Sequence, residues 1–164
     1  MIASFSSGMP PTSVYLVLPA SMARIAASLM LAGVSKALRA AGCAATIVAL
    51  EPASAPVLTA GQSGSHRVEG IAPGFVPPHV AAGVYDEARA VPEEEARAMA
   101  RRLAREEGIF AGTSSALNVV AAIQLARELG PGKVVATVAV DSGLKYLAGD
   151  LYVETRNEEL GIRN

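Results

Sequence analysis

One stretch constrains this chain more than any other. Val134 to Val140 carries no charge and no proline and is mostly β-branched, with Gly130-Pro131-Gly132 before it and Asp141-Ser142-Gly143 after it. Seven residues bounded by turn formers are too few for a typical helix, and the absence of polar alternation suits a strand covered on both faces. The spacing therefore predicts a central strand of a parallel sheet. Parallel strands need a crossover, usually a helix, and the preceding Ala116 to Leu129 has the amphipathic pattern of one.

The same unit recurs upstream. Ala20 to Ala41 is rich in Ala and Leu and free of proline, which predicts a helix closed by Gly42, and Thr46 to Leu50 predicts a buried strand stopped at Glu51-Pro52. Pro92 opens a further helix, where its missing amide costs nothing, and Glu93, Glu94 and Glu95 put negative charge at the positive end of the dipole. Its buried stripe is Ala96, Met99, Ala100 and Leu103; Arg101, Arg102 and Arg105 are read as a solvated face, Glu94 sits three residues before Arg97, and Gly108 ends the helix. Ile109 to Ala111 reads as a very short strand leading into Gly112-Thr113-Ser114-Ser115. Alternating units of this kind predict an α/β fold, an open and mostly parallel sheet flanked by helices. The proline- and glycine-rich stretch from Ala53 to Gly83 reads as loops around a short helix near Val57 to Gly61, and connections of that length commonly form binding loops.

Composition removes several functions. With 14 basic and 15 acidic residues there is no excess charge to neutralise a nucleic-acid backbone, so no nucleic-acid partner is expected. Pro19 and Arg24 interrupt the apolar stretch from Val14 to Val34, which argues against a membrane span or a secretion signal. Cys43 is alone and cannot form an internal disulfide, so a cytoplasmic setting is the plain expectation. His66 and His79 stand isolated in loops and read as neither bases nor metal ligands, and no metal site is assigned.

In an open parallel sheet, ligands bind beyond the carboxyl ends of the strands. Two loops qualify: Gly112-Thr113-Ser114-Ser115, with hydroxyls and free amides at a helix start, and Asp141-Ser142-Gly143 after the last strand. Read locally, Ser114 or Ser115 is a helix cap.

A run of motifs in fixed order adds to that reading. They are Gly33-Val34-Ser35-Lys36-Ala37-Leu38-Arg39, Glu51-Pro52, Glu69-Gly70-Ile71-Ala72-Pro73-Gly74-Phe75-Val76-Pro77-Pro78, Arg101 to Gly108, Ala111 to Ser115, Gly130-Pro131-Gly132-Lys133, and Asp141-Ser142-Gly143-Leu144-Lys145-Tyr146-Leu147. Together they resemble the second half of fold type II pyridoxal-phosphate enzymes of the cysteine synthase group, from about Leu29 to Tyr152. The resemblance implies pyridoxal phosphate as cofactor, an amino-acid substrate, and replacement at its β-carbon, turning an activated serine and sulfide into cysteine. It places Ser114 against the cofactor's pyridine nitrogen, adds Thr113 and Ser142 to the cofactor-binding set, and makes Gly70, Ala72 and Gly74 part of a substrate loop. Ala72 stands where the family usually has glycine.

Departures from the family pattern limit what the resemblance implies. The family's Gly-Thr-Gly-Gly-Thr phosphate loop falls where this chain reads Ala23-Arg24-Ile25-Ala26-Ala27-Ser28. Its Schiff-base lysine belongs to the half that is not matched, and Lys36, Lys133 and Lys145 each match non-catalytic positions, so no catalytic residue is assigned. The resulting organisation is a leader over 1–28, a cysteine-synthase-like lobe over 29–152 and a tail over 153–164. This describes an incomplete half of the fold, from a truncated or mis-framed parent, inactive alone and prone to self-association as a homo-oligomer. The alternative is a non-catalytic descendant that binds a partner.

Overall fold

The computed structural model describes residues 13–19, 26–68, 76–80 and 83–153. Four strands, β1 (Val14–Pro19), β2 (Thr46–Pro52), β3 (Glu87–Val91) and β4 (Val134–Thr137), form one sheet in the order β3-β2-β1-β4. Every pairing is parallel, with Tyr15 beside Thr46 and Val135, and Val48 beside Glu87. The α/β architecture is the one that the alternating units predict. The helices are α1 (Ala26–Ala40), α2 (Val57–Ala60), α3 (Glu93–Glu106) and α4 (Thr113–Leu129).

Successive strand residues point to opposite faces, and the two cores follow that period. On one face Val17, Val48 and Leu50 meet Leu117, Val120 and Leu125 of α4, with Ala96 of α3. On the other, Leu18, Ile47 and Ala49 meet Leu31 of α1. Each fully buried Val, Leu or Ile among them contributes roughly 1.5–3 kcal/mol. A third cluster joins Ala100 and Leu103 of α3 to Ala116, Tyr146 and Leu151.

Several elements depart from the sequence reading. β1 occupies an interior position in the sheet, yet lies in the stretch assigned to the leader over 1–28. Nothing local marks it, because its pairing partners lie about 30 and 120 residues further along the chain. The helix expected over Ala20 to Ala41 spans Ala26–Ala40 among the described residues. Val134 to Val140 is not a central strand: β4 stops at Thr137, stands at the sheet edge, and leaves Val134 47% exposed. Ile109 to Ala111 forms no strand and supplies one antiparallel bridge, Ala111 to Ser142.

α3 ends as expected, with Gly108 at φ +68° just past the Glu107 cap, in the left-handed region that glycine adopts without cost. Its charges pair differently. Arg97 is buried and reaches Asp150 at 2.8 Å, while Glu94 pairs with Arg67 at 2.9 Å. Arg102 and Arg105 are exposed, whereas Arg101 lies partly buried and donates to the Leu151 carbonyl at 3.3 Å.

Glu51, at the end of β2, is fully buried. Its carboxylate accepts the Leu58 amide at 2.6 Å, and the Thr59 amide and hydroxyl at 2.8 and 2.6 Å. A buried charge is tolerated only when its oxygens are satisfied, and these three donors do that while fastening α2 to the strand end.

Candidate active site

Parallel strands bring their carboxyl ends to one edge of the sheet, and α4 starts at that edge. Gly112 is its N-cap, with Thr113, Ser114 and Ser115 as the first turn, and no side chain caps it. Ser114 is therefore not the helix cap that its local pattern suggests. It is 7% exposed, and its hydroxyl bonds no described residue. Its Oγ is not a buried atom and stays open to a ligand or water. Thr113 beside it is 1% exposed.

Ser115 does different work. Its Oγ accepts the Val140 amide at 2.9 Å and donates to Asp141 Oδ1 at 3.2 Å. Asp141 Oδ2 accepts the Tyr146 hydroxyl at 2.6 Å and lies 3.9 Å from Lys145 Nζ. The Gly112 amide donates to the Asp141 carbonyl at 3.3 Å, and the Gly143 amide to the Phe110 carbonyl at 3.0 Å. The two loops are thus joined through Asp141. A Cβ on Gly112 would stand 2.2 Å from the Tyr146 ring and 2.5 Å from Asp141 Oδ1, so only glycine allows this approach.

Asn118 lies one turn after Ser114 on the same face of α4. It is fully buried, its Nδ2 donates to the Val138 carbonyl at 2.9 Å, and its Oδ1 has no partner. The sequence reading passed over Asn118; the signal available was one amide in the otherwise apolar run from Ala116 to Val120. Tyr152 donates to the Ala111 carbonyl just before the turn. Burial pushes its phenol above the ordinary tyrosine value, opposed by the bond to Ala111 and reinforced by the Asp141 charge.

Thr113, Ser114 and the Ser142 loop are accordingly brought together. Ser142 itself is exposed, and its Oγ accepts the Leu144 amide at 3.3 Å, capping the short 3-10 turn Gly143–Tyr146. Gly70, Ala72 and Gly74, and Arg24 of the phosphate-loop region, lie outside the described residues. The three lysines are exposed. Lys36 is exposed on α1, Lys133 sits at the amino end of β4 with Nζ 3.2 Å from Ser13 Oγ, and Lys145 is exposed beside Tyr146.

Residues 17–141 match the family model described as "Pyridoxal-phosphate dependent enzyme". The chain belongs to that family. It is 44% identical over 122 residues to a cysteine synthase of Staphylococcus aureus (strain Mu50 / ATCC 700699), covering 74% of this chain and 39% of the relative. It is 45% identical over 107 residues to a probable cysteine synthase of Bacillus subtilis (strain 168), covering 65% and 34%. Among solved structures, O-ureido-L-serine synthase superposes with a TM-score of 0.76 at 32% identity, over 92% of this chain and 47% of that one. O-acetyl serine sulfhydrylase isoform 3 of Entamoeba histolytica gives 0.77 at 27% identity, over 88% and 42%. The chain therefore spans less than half the length of the relatives it matches. Among the described residues, no helix is long and apolar enough to cross a membrane.

The family cofactor is pyridoxal phosphate. Ser114 lies in the first turn of α4 with its Oγ open to a ligand, and the three lysines of the chain are exposed.

Proposed function

We propose that this chain forms the ring-binding lobe of a pyridoxal-phosphate-dependent β-replacement enzyme, in which an activated serine and sulfide yield cysteine. The observation that carries the reading is Ser114: buried at a helix start, without a capping bond, and held by an Asp141-centred clamp that fixes the turn on both sides. When bound, the cofactor supplies an electron sink for elimination and replacement at the β-carbon. Ser114 bonds the pyridine nitrogen without the negative charge that would keep it protonated. Thr113 shapes the same turn, and Ser142 holds the facing loop by its cap. The lysines of this chain are exposed, whereas a lysine that attacks carbonyls is typically desolvated, so the lobe does not complete the reaction alone. The resemblance of the relatives' names, cysteine synthase and O-acetyl serine sulfhydrylase, supports an O-acyl serine as the activated substrate.

The test is a chimera that joins this lobe to the portion of the Staphylococcus aureus relative it does not match. Ser114→Ala is expected to weaken cofactor affinity by about 0.5–1.5 kcal/mol, the value of one hydrogen bond, with the fold intact. Ser114→Asp is expected to lose more turnover, because a carboxylate stabilises ring protonation. Full activity in the Asp variant would refute the assignment.

A further inference from the structure

β4 pairs with β1 only as far as Thr137, whose partner is Val17, while β1 runs on to Pro19. Beyond that point the chain is held by side chains instead of a ladder. Thr137 Oγ1 donates to the Val17 carbonyl at 2.6 Å, Asn118 Nδ2 donates to the Val138 carbonyl at 2.9 Å, and Ser115 Oγ accepts the Val140 amide at 2.9 Å. Asn118 and Ser115 stand three positions apart on α4 and so share a face of it. The segment 138–141 thus changes partner from β1 to the first two turns of α4, and it brings Asp141 to the Ser115 hydroxyl and the Gly112 amide.

Asn118 is the costly member of this set. Ala121 and Leu125, which follow it at helical spacing on the same face, are buried in the core, and that stripe calls for an apolar residue at 118. An amide there is taken out of water for one bond. Its Nδ2 has the Val138 carbonyl, but its Oδ1 is buried with no partner among the described residues. A buried acceptor without a donor lowers stability, and asparagine is also a poorer helix former than alanine or leucine. Folding alone gives no reason for asparagine here, whereas the hold on Val138 does.

We infer that Asn118 is a positioning residue: its amide fixes the 138–141 segment against α4, and through Asp141 it sets the Gly112 to Ser114 turn. It acts through Asp141 and not on the reacting groups. Its consequence for catalysis rests on the reading of Ser114 as the cofactor's partner; the coupling of segment to turn is a property of the chain alone.

Amide hydrogen exchange on the full chain, measured residue by residue by NMR beside urea unfolding, tests the coupling. Asn118→Ala removes one bond, but it also removes the unpaired acceptor and improves the helix, so the unfolding midpoint is expected to be unchanged. The Val140 and Gly112 amides are expected to exchange roughly two- to tenfold faster, the net value of one hydrogen bond read as a ratio. The Leu58 and Thr59 amides, bonded to Glu51, are expected to exchange as in the parent. Unaltered exchange at Val140 and Gly112 overturns the inference. So does a variant that fails to fold, or whose midpoint falls with every amide exchanging faster, since either result makes Asn118 an ordinary core residue. In the chimera, Asn118→Ala is expected to weaken cofactor binding while Ser114 is intact, and unchanged binding there, where Ser114→Ala weakens it, also overturns the inference. If Ser114→Ala leaves binding unchanged, the reading of Ser114 fails instead, and the exchange result alone decides Asn118.

Discussion

The Tyr146 hydroxyl donates to Asp141 Oδ2 at 2.6 Å while the same ring closes over Gly112, so one side chain holds the last loop to the start of α4. Tyr146→Phe keeps the ring and removes the bond. A hydrogen bond to a charged group contributes about 1.5–3 kcal/mol, and the expected loss of stability lies at the lower end because Asp141 retains Ser115. Urea unfolding midpoints measure it. An unchanged midpoint would mean that the clamp does not hold the loops.

Glu51 makes a comparable prediction away from the site. Glu51→Gln preserves volume but presents an amide NH₂ to the donors of Leu58 and Thr59, leaving at least one buried donor unpaired. The expected cost is about 1–3 kcal/mol. Chemical denaturation of the two proteins side by side checks it, and equal stability would show that the carboxylate is not what anchors α2.

Much of the fold was legible in the sequence, for physical reasons that differ by element. α3 announced itself through Pro92, its acidic first turn and Gly108, all local signals whose effects act within a turn or two. The α2 region was legible for the same reason, with Gly61 adopting the left-handed conformation just past its end. β1 was not, because a parallel strand is stabilised by partners far away in the chain and carries no turn chemistry of its own. The interior placement read into Val134 to Val140 failed similarly: hydrophobicity reports that a strand seeks cover, not its place in the strand order. At the site, the Ser114 turn and the Asp141 loop were both identified, but the clamp between them was not. Which oxygen Ser115 and Tyr146 reach depends on how α4 packs over the sheet, and Asn118 emerges only once Val138 is seen beside it.

Asp86 gives a pH-dependent prediction. It accepts the Ile47 amide at 2.7 Å and pairs with Arg39 at 2.9 Å, and these hold its carboxyl below the ordinary value, with the backbone bond the larger cause and burial opposing. A folded pKa below the unfolded one adds stability that is present above the unfolded value, about 3.9 for aspartate, and is lost as pH falls through the folded value. Asp86→Asn is therefore expected to be less stable than the parent at neutral pH, with the gap closing below about pH 4. Thermal midpoints across roughly pH 2.5–7, the range over which a carboxylate titrates, read the difference. A gap that stays constant with pH would remove the carboxylate from the explanation.

The central claim is that this lobe offers the cofactor a ring-nitrogen partner and no lysine. The most direct measurement is titration of the purified chain with pyridoxal phosphate, followed by borohydride reduction and peptide mass mapping. The expected result is weak, non-saturating labelling spread over Lys36, Lys133 and Lys145, all of them exposed. Saturable, one-to-one labelling of a single lysine, abolished by substituting that lysine, would contradict it.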